Sequence, residues 1–159
     1  MEALIFREIT GKESILQQLE KMKQTGFLSL EERKVINIRK LTQFFSSNLG
    51  QRMIQADKKD MLFREQPFVI GVKAREVDNT INSDELVLVQ GIVDVYFKEG
   101  EELVLVDYKT DKVEIESQLI ERYQMQLNYY KKALEQVTGK KVKESRIYSF
   151  YFEKEIVVD

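Results

Sequence analysis

Apolar positions in the first sixty residues recur at helical spacing. Ile15, Leu16, Leu19 and Met22 share one face of a helix predicted over about residues 12 to 24, with Thr10 and Glu13 at capping-box spacing ahead of it and Gly26 where a C-terminal cap belongs. Ser29 with Glu32 caps a second helix. Asn37 caps a third, carrying Ile38, Leu41, Phe44 and Phe45, and Asn48 starts a short fourth before Asp57. From Met61 the pattern becomes extended: MLFREQPFVIGV is rich in aromatic and β-branched residues, and Pro67, which lacks an N–H, marks an edge strand or a bulge. ELVLVQGIVDVYF and EELVLVDYKT read as two more strands. The turn signal Lys98-Glu99-Gly100-Glu101 between them predicts an antiparallel hairpin. A long helix follows from about Glu116 to Val137, in which Ile120, Leu127 and Leu134 repeat every seven residues and Tyr123, Tyr130 and Val137 form a neighbouring stripe. SRIYSFYFEKEIVV closes the chain as one or two strands, so the helix makes a crossover expected to be right-handed. The pattern predicts an α/β fold, with a helical segment over 1–58 and a mixed sheet flanked by helices over 59–159.

Composition narrows the chemistry. With 159 residues, one proline, seven glycines and 43% hydrophobic residues, the chain is expected to form a single domain with a continuous core. Its formal charge of −2 does not mark a nucleic-acid binder, so a polyanion site must be local. Lys131, Lys132, Lys140, Lys141, Lys143 and Arg146 gather around the end of the long helix, as either such a patch or an ordinary solvated face. Cysteine and histidine are absent, which excludes disulfides, Cys/His zinc sites, iron-sulfur ligation and Ser-His or Cys-His nucleophiles. Gly11-Lys12 and Gly139-Lys140 lack the frame of a P-loop. No run approaches the ~20 apolar residues of a membrane span, and MEALIFREIT lacks the features of a secretory signal, so a cytoplasmic location is expected.

Three charges interrupt two of the most apolar strands. Asp94 breaks GIVDVYF, and Asp107 with Lys109 ends LVLVDYK. Residues two apart in a strand share a face, so Asp107 and Lys109 project together while Tyr108 points away. A hairpin closed by an even-membered loop at Gly100-Glu101 places Asp94 opposite Asp107 or one pair away. Two adjacent carboxylates raise one another's pKa, and a divalent cation relieves that repulsion. Two aspartates, a backbone carbonyl between them and water suit Mg²⁺ or Mn²⁺, with Lys109 beside a metal-bound water or a phosphate oxygen. Taken alone, the Asp-x-Lys also fits a solvated strand end. Asp94 is less easily dismissed, because Val93 and Val95 flank it in a run that reads as buried on both faces. In the long helix, Tyr123, Gln126 and Tyr130 occupy one stripe; they suit phosphate hydrogen bonding, or a core helix with tolerated tyrosines.

The order G-I-V-D (91 to 94), D-Y-K (107 to 109) and Q-x-x-x-Y (126 to 130) resembles the PD-(D/E)xK nuclease superfamily in its RecB-like branch, and most closely the nuclease domains of AddA-type (RexA-type) helicase-nucleases. FLSLEE (27 to 32) and REQPF (64 to 68) extend the likeness over most of the chain. The resemblance implies a restriction-endonuclease-like fold and Mg²⁺-dependent DNA hydrolysis, with Mn²⁺ as a substitute. It implies metal ligation by Asp94, Asp107 and the Tyr108 carbonyl, catalysis by Lys109, and site support and DNA contact by Gln126 and Tyr130. Glu65 becomes a candidate outer-shell or metal residue, though it also fits an exposed edge-strand charge. The implied reaction is in-line attack by water, with the cation and Lys109 neutralising the charge that builds on phosphorus. Single-stranded DNA ends, a partner of the AddB (RexB) type and an ATP-driven helicase elsewhere in a parent chain complete the implied setting. The family's usual metal-ligating histidine is missing, and the chain is therefore expected to be a fragment of a larger helicase-nuclease. A fragment that binds DNA or its partner but turns over poorly is the rival expectation; a scaffold or an RNA-directed enzyme on the same fold is another.

Overall fold

A computed structural model describes residues 1, 3–77, 80 and 82–158. Four helices precede the sheet: α1 (Lys12–Gln24), α2 (Leu30–Val35), α3 (Ile38–Ser46) and α4 (Asn48–Asp57). Their ends follow local chemistry. Beyond α1, Gly26 takes φ 74°, and the Phe27 N–H reaches the Met22 carbonyl at 2.9 Å while the Gly26 N–H reaches that of Lys23 at 3.1 Å, a Schellman closure. Ser29 and Glu32 form the expected reciprocal box on α2, and Asn37 Oδ1 accepts the Lys40 N–H on α3. One cap differs from the expectation. On α1 the Ser14 hydroxyl, rather than the Thr10–Glu13 pair, accepts the N–H groups of Thr10 and Gly11. Helix α4 starts at Asn48 as expected, capped by Ser47, whose hydroxyl reaches the Gly50 N–H.

The sheet has five strands in the order β1-β2-β3-β4-β5: β1 (Leu62–Lys73), β2 (Leu86–Glu99), β3 (Glu102–Lys109), β4 (Val142–Ser149) and β5 (Lys154–Val157). A short helix α5 (Ala74–Val77) follows β1, and the long helix α6 (Ser117–Thr138) joins β3 to β4. β3 and β4 are parallel, as a crossover through a helix requires, and the other neighbours are antiparallel. Pro67 sits on β1, an edge strand, where a missing N–H is tolerated. The β2–β3 hairpin closes with Glu99 paired to Glu102 and Gly100 at φ 67° in the turn.

Each face of the sheet carries its own core. Phe6, Ile15, Leu19, Phe44, Phe45, Leu49 and Met53 from the helical segment pack on Val95, Phe97, Val104, Val106 and Tyr148. Leu119, Leu127, Tyr130, Ala133 and Leu134 of α6 pack on the opposite face, against Phe68, Ile70, Val72, Val93, Leu103, Leu105 and Ile147. Val137, on the stripe that neighbours the buried face of α6, is 73% exposed. Asp57, 4% exposed, ties the layers together: it accepts the Arg7 backbone N–H at 2.8 Å and lies 3.8 Å from Arg64 of β1.

One irregularity sets the position of the site. In β1, Leu62 belongs to the helical-segment core and Phe63 to the α6 core, yet the even-numbered Phe68, Ile70 and Val72 face α6. β2 changes face in the same way: Val95 and Phe97 lie in the first core and Val93 in the second. The ladder keeps its register across the change, from Arg64↔Val95 to Gln66↔Val93, and skips Glu65 and Asp94. Each strand carries one residue outside the alternation, so the pairing is preserved while the side-chain faces exchange. Glu65 accomplishes this at φ 48°. Val93 and Val95 are thus both buried although Asp94 lies between them.

The α3–α4 corner has no room for a side chain at Gly50, where an added Cβ would stand 2.1 Å from the Phe44 carbonyl oxygen. Gly50→Ala is therefore expected to destabilise the fold by roughly 1–3 kcal/mol through overpacking, read as a lower midpoint in urea with unchanged slope. An unchanged midpoint would show that the corner relaxes freely.

Candidate active site

The centre of the site is Asp107, near the C-terminal end of β3. Strand alternation turns it toward α6, and it is 1% exposed. Neither carboxylate oxygen has a hydrogen-bond partner. Lys109, on the same face, brings its ammonium nitrogen within 2.6 Å of Asp107 Oδ2, off the direction of a hydrogen bond, so the contact is ionic. Asp94 approaches from β2. The β2–β3 ladder stops at Val95–Val106, one pair short of Asp94 and Asp107; instead, Asp94 Oδ2 accepts the Tyr108 N–H at 3.3 Å. Burial pushes the Asp107 carboxyl up to about 6, Lys109 opposes the shift, and the Asp94 carboxylate adds to it. Burial, rather than the expected carboxylate repulsion, is the main cause.

Helix α6 closes the site from above. Gln126 Nε2 donates to the Tyr130 hydroxyl at 2.6 Å, and Tyr130 is 8% exposed with its ring edge-on to Phe68 at 5.5 Å. Gly91 permits this approach: a Cβ there would lie 2.9 Å from Phe68 Cε1 and 3.5 Å from Tyr130 Cε1. Tyr123, one turn earlier, lays its ring 4.1 Å from the Lys109 ammonium. Its hydroxyl donates to Asp111 Oδ1 at 2.9 Å, and Arg122 holds the same oxygen at 2.7 Å. Asp111 has no signal in the sequence, since no periodic pattern links a residue just beyond β3 to a helix 12 residues on.

Asp94, Asp107, Lys109, Gln126 and Tyr130 thus meet where β2, β3 and α6 converge, beside the Tyr108 peptide. Glu65 lies on β1 at the point where the ladder skips both it and Asp94, but it is exposed, and among the described residues no three acidic side chains gather as a metal-binding group. The basic run disperses into ion pairs on separate elements. Lys132 pairs with Glu76, Lys140 with Glu101, Lys143 with Glu99 and Arg146 with Glu144, so these four do not form a free polyanion patch. A buried carboxylate with two unbonded oxygens next to a second carboxylate is a donor set that fits a hard divalent cation.

The profile of the PD-(D/E)XK nuclease superfamily matches residues 8–158. The chain belongs to this superfamily. It is 40% identical over its whole length to the A-type subunit of the ATP-dependent helicase/nuclease of Clostridium botulinum (strain 657 / Type Ba4), and 41% identical over 99% of its length to the corresponding protein of Syntrophomonas wolfei. A third relative, the same helicase/nuclease component of Clostridium acetobutylicum, is 43% identical over 87% of the chain. The chain spans only 11% to 13% of the length of these relatives. The superfamily assignment and the mixed α/β sheet agree with the motif order G-I-V-D, D-Y-K and Q-x-x-x-Y. No helix of the described residues is long and apolar enough to cross a membrane.

The Asp107 shift fixes the sign of a pH effect. Between the ordinary carboxylate value near 4 and about 6, the folded protein holds a proton that the unfolded chain releases, so stability falls as pH rises through this window and stays lower above it. Without added metal, Asp107→Asn is expected to be more stable than the parent at pH 8 by on the order of 1–3 kcal/mol, and the difference should shrink toward pH 4. Thermal melting of both proteins across that range checks it; an Asn variant that melts lower at pH 8 would overturn the account of Asp107 as a buried ion whose burial Lys109 only partly offsets.

Proposed function

We propose that this chain is a metal-dependent DNA exonuclease domain, residues 1–159 forming one domain of a longer ATP-dependent helicase-nuclease that processes double-strand breaks for recombinational repair in the cytoplasm. The observation that carries the proposal is the buried Asp107 carboxylate without hydrogen bonds, set beside Asp94 and Lys109. Asp94, Asp107 and the Tyr108 carbonyl would hold Mg²⁺, or Mn²⁺ in its place, with Glu65 further out. Such a cation supplies charge to neutralise the phosphate and lowers the pKa of the attacking water.

The chain's own residues supply the rest. Lys109, 14% exposed at its side chain, offers its ammonium to a non-bridging phosphate oxygen, whose charge grows toward the transition state. Gln126, held by the Tyr130 hydroxyl, keeps its amide oriented along the α6 face for contact with the DNA backbone. DNA enters as single-stranded ends delivered by the helicase part, which alone uses ATP, and a protein of the AddB (RexB) type is the partner of the whole. The similarity to the helicase/nuclease relatives supports this setting.

The cleavage assay uses single-stranded DNA with Mg²⁺ or Mn²⁺. Cleavage is expected to vanish with chelator and in Asp107→Ala and Asp94→Ala, and to fall about 100-fold or more in Lys109→Met, while all three variants stay folded. Normal cutting by Asp107→Ala would refute the site. A second reading, a fragment that binds DNA or its partner and turns over poorly, is favoured by the lack of a third acidic group among the described residues. DNA binding without metal-dependent cleavage would select it.

A further inference from the structure

We propose that Tyr123 and Asp111 form a positioning device for Lys109, an aromatic platform locked to the loop beyond β3, which fixes the ammonium independently of its ion pair with Asp107. The inference rests on the nuclease reading above for its catalytic consequence, and on geometry alone for the placement of Lys109.

Among the described residues the Lys109 ammonium meets Asp107 Oδ2 at 2.6 Å and the Tyr123 ring at 4.1 Å. They differ in what happens when the site is in use. If Asp107 commits its oxygens to a cation, its charge is shared and its hold on the lysine weakens. The attraction between ammonium and ring face is not drawn into that competition, because among the described residues the ring's negative face meets no cation but Lys109. The lysine stem is flexible along its four carbons, and with the ion pair loosened the ring is the contact that keeps it from swinging out of the site.

A ring can do this only if it is itself fixed. Tyr123 is one turn before Gln126 on the face of α6 that covers the site, and its hydroxyl is tied to Asp111 at 2.9 Å. Asp111 lies just beyond the end of β3, two residues after Lys109, and is shared with Arg122 at 2.7 Å. The path β3, Lys109, Tyr123 ring, Asp111 and back to the segment beyond β3 is a closed loop of contacts around the lysine. Arg122 adds a charge-assisted bond from the neighbouring position of α6, so that the helix grips Asp111 with two successive side chains. Burial and the Asp111 carboxylate both hold the Tyr123 hydroxyl protonated, as a donor to Asp111 requires.

Two readouts keep the placement and the catalysis apart. The first is the nuclear magnetic resonance of the Lys109 ε-methylene protons, assigned by comparison with Lys109→Met, in the folded protein without metal. A ring face at this distance shifts these protons upfield. The shift is expected to shrink in both Tyr123→Phe and Asp111→Ala, each of which removes the bond that fixes the ring, and to disappear in Tyr123→Leu. The second is single-turnover cleavage of single-stranded DNA with Mn²⁺. Tyr123→Leu is expected to lower the maximal rate by about tenfold to thirtyfold with little change in half-saturation, Tyr123→Phe to stay within about threefold of the parent, and Tyr123→Leu to have no further effect in a Lys109→Met background. An upfield shift that survives in Tyr123→Leu would overturn the platform. So would a Tyr123→Phe variant as slow as Tyr123→Leu, or a loss that persists undiminished without Lys109. If the shift behaves as expected and the parent chain does not cleave DNA, the positioning of Lys109 stands and the nuclease reading fails.

Discussion

A carboxylate held away from water without a hydrogen bond is among the costliest groups a fold can contain, and Asp107 is placed in that condition by elements packed from both sides. Its strand is central, its face is covered by α6, and its neighbours Leu103, Leu105 and Val106 are fully buried. No oxygen of Asp107 is satisfied among the described residues, and Lys109 opposes the burial only in part. The fold therefore carries local stress at one point, and in the function proposed above a divalent cation at that point would relieve it. The charged groups around it make sense in relation to that demand: Asp94 as a second anion, Lys109 as a fixed cation, and Gln126 with Tyr130 as neutral polar groups on the covering helix.

The sheet is shaped to bring these groups together. The exchange of faces at Glu65 and Asp94 lets β2 serve the helical-segment core with Val95 and Phe97, then the α6 core with Val93, within a few residues. Asp94 stands at the pivot, where its backbone leaves the ladder and its side chain takes over a Tyr108 amide. A regular strand would give an uninterrupted ladder with no such vacancy. The helical segment holds the other half of the sheet in place through Asp57, Arg7 and Arg64, while the hairpin end is tied to α4 and β4 through Arg52, which meets Glu99 at 2.9 Å and Glu144 at 3.0 Å.

Much of this arrangement was legible in the sequence. The helix stops at Gly26 and the starts at Ser29 and Asn37 follow from local chemistry that acts within one turn, and Gly100-Glu101 sets an even hairpin loop. Asp107 and Lys109 share a face because strand geometry requires it. The motif order carried the family, and the family carried the fold. What escaped depended on contacts across the chain. Ser14 takes over the cap expected from Thr10 and Glu13. The exchange of faces has no sequence signature, because alternation fails by one residue in two strands at once. The basic run around residues 131 to 146 fitted either a patch or a solvated face in the sequence, because a sequence does not show that Glu76, Glu99 and Glu101 lie opposite three of its lysines. Asp111 and Tyr123 become partners only when α6 folds back over β3.

The central claim is that the burial of Asp107 is matched to a divalent cation. Its most direct test is calorimetric titration of Mn²⁺ into the purified chain near pH 7.5, alongside Asp107→Asn. Saturable binding by the parent, with proton release greater at pH 6 than at pH 8 and loss of the signal in the Asn variant, is the predicted result. Equal binding by parent and variant, or none by a folded parent at millimolar Mn²⁺, would contradict it.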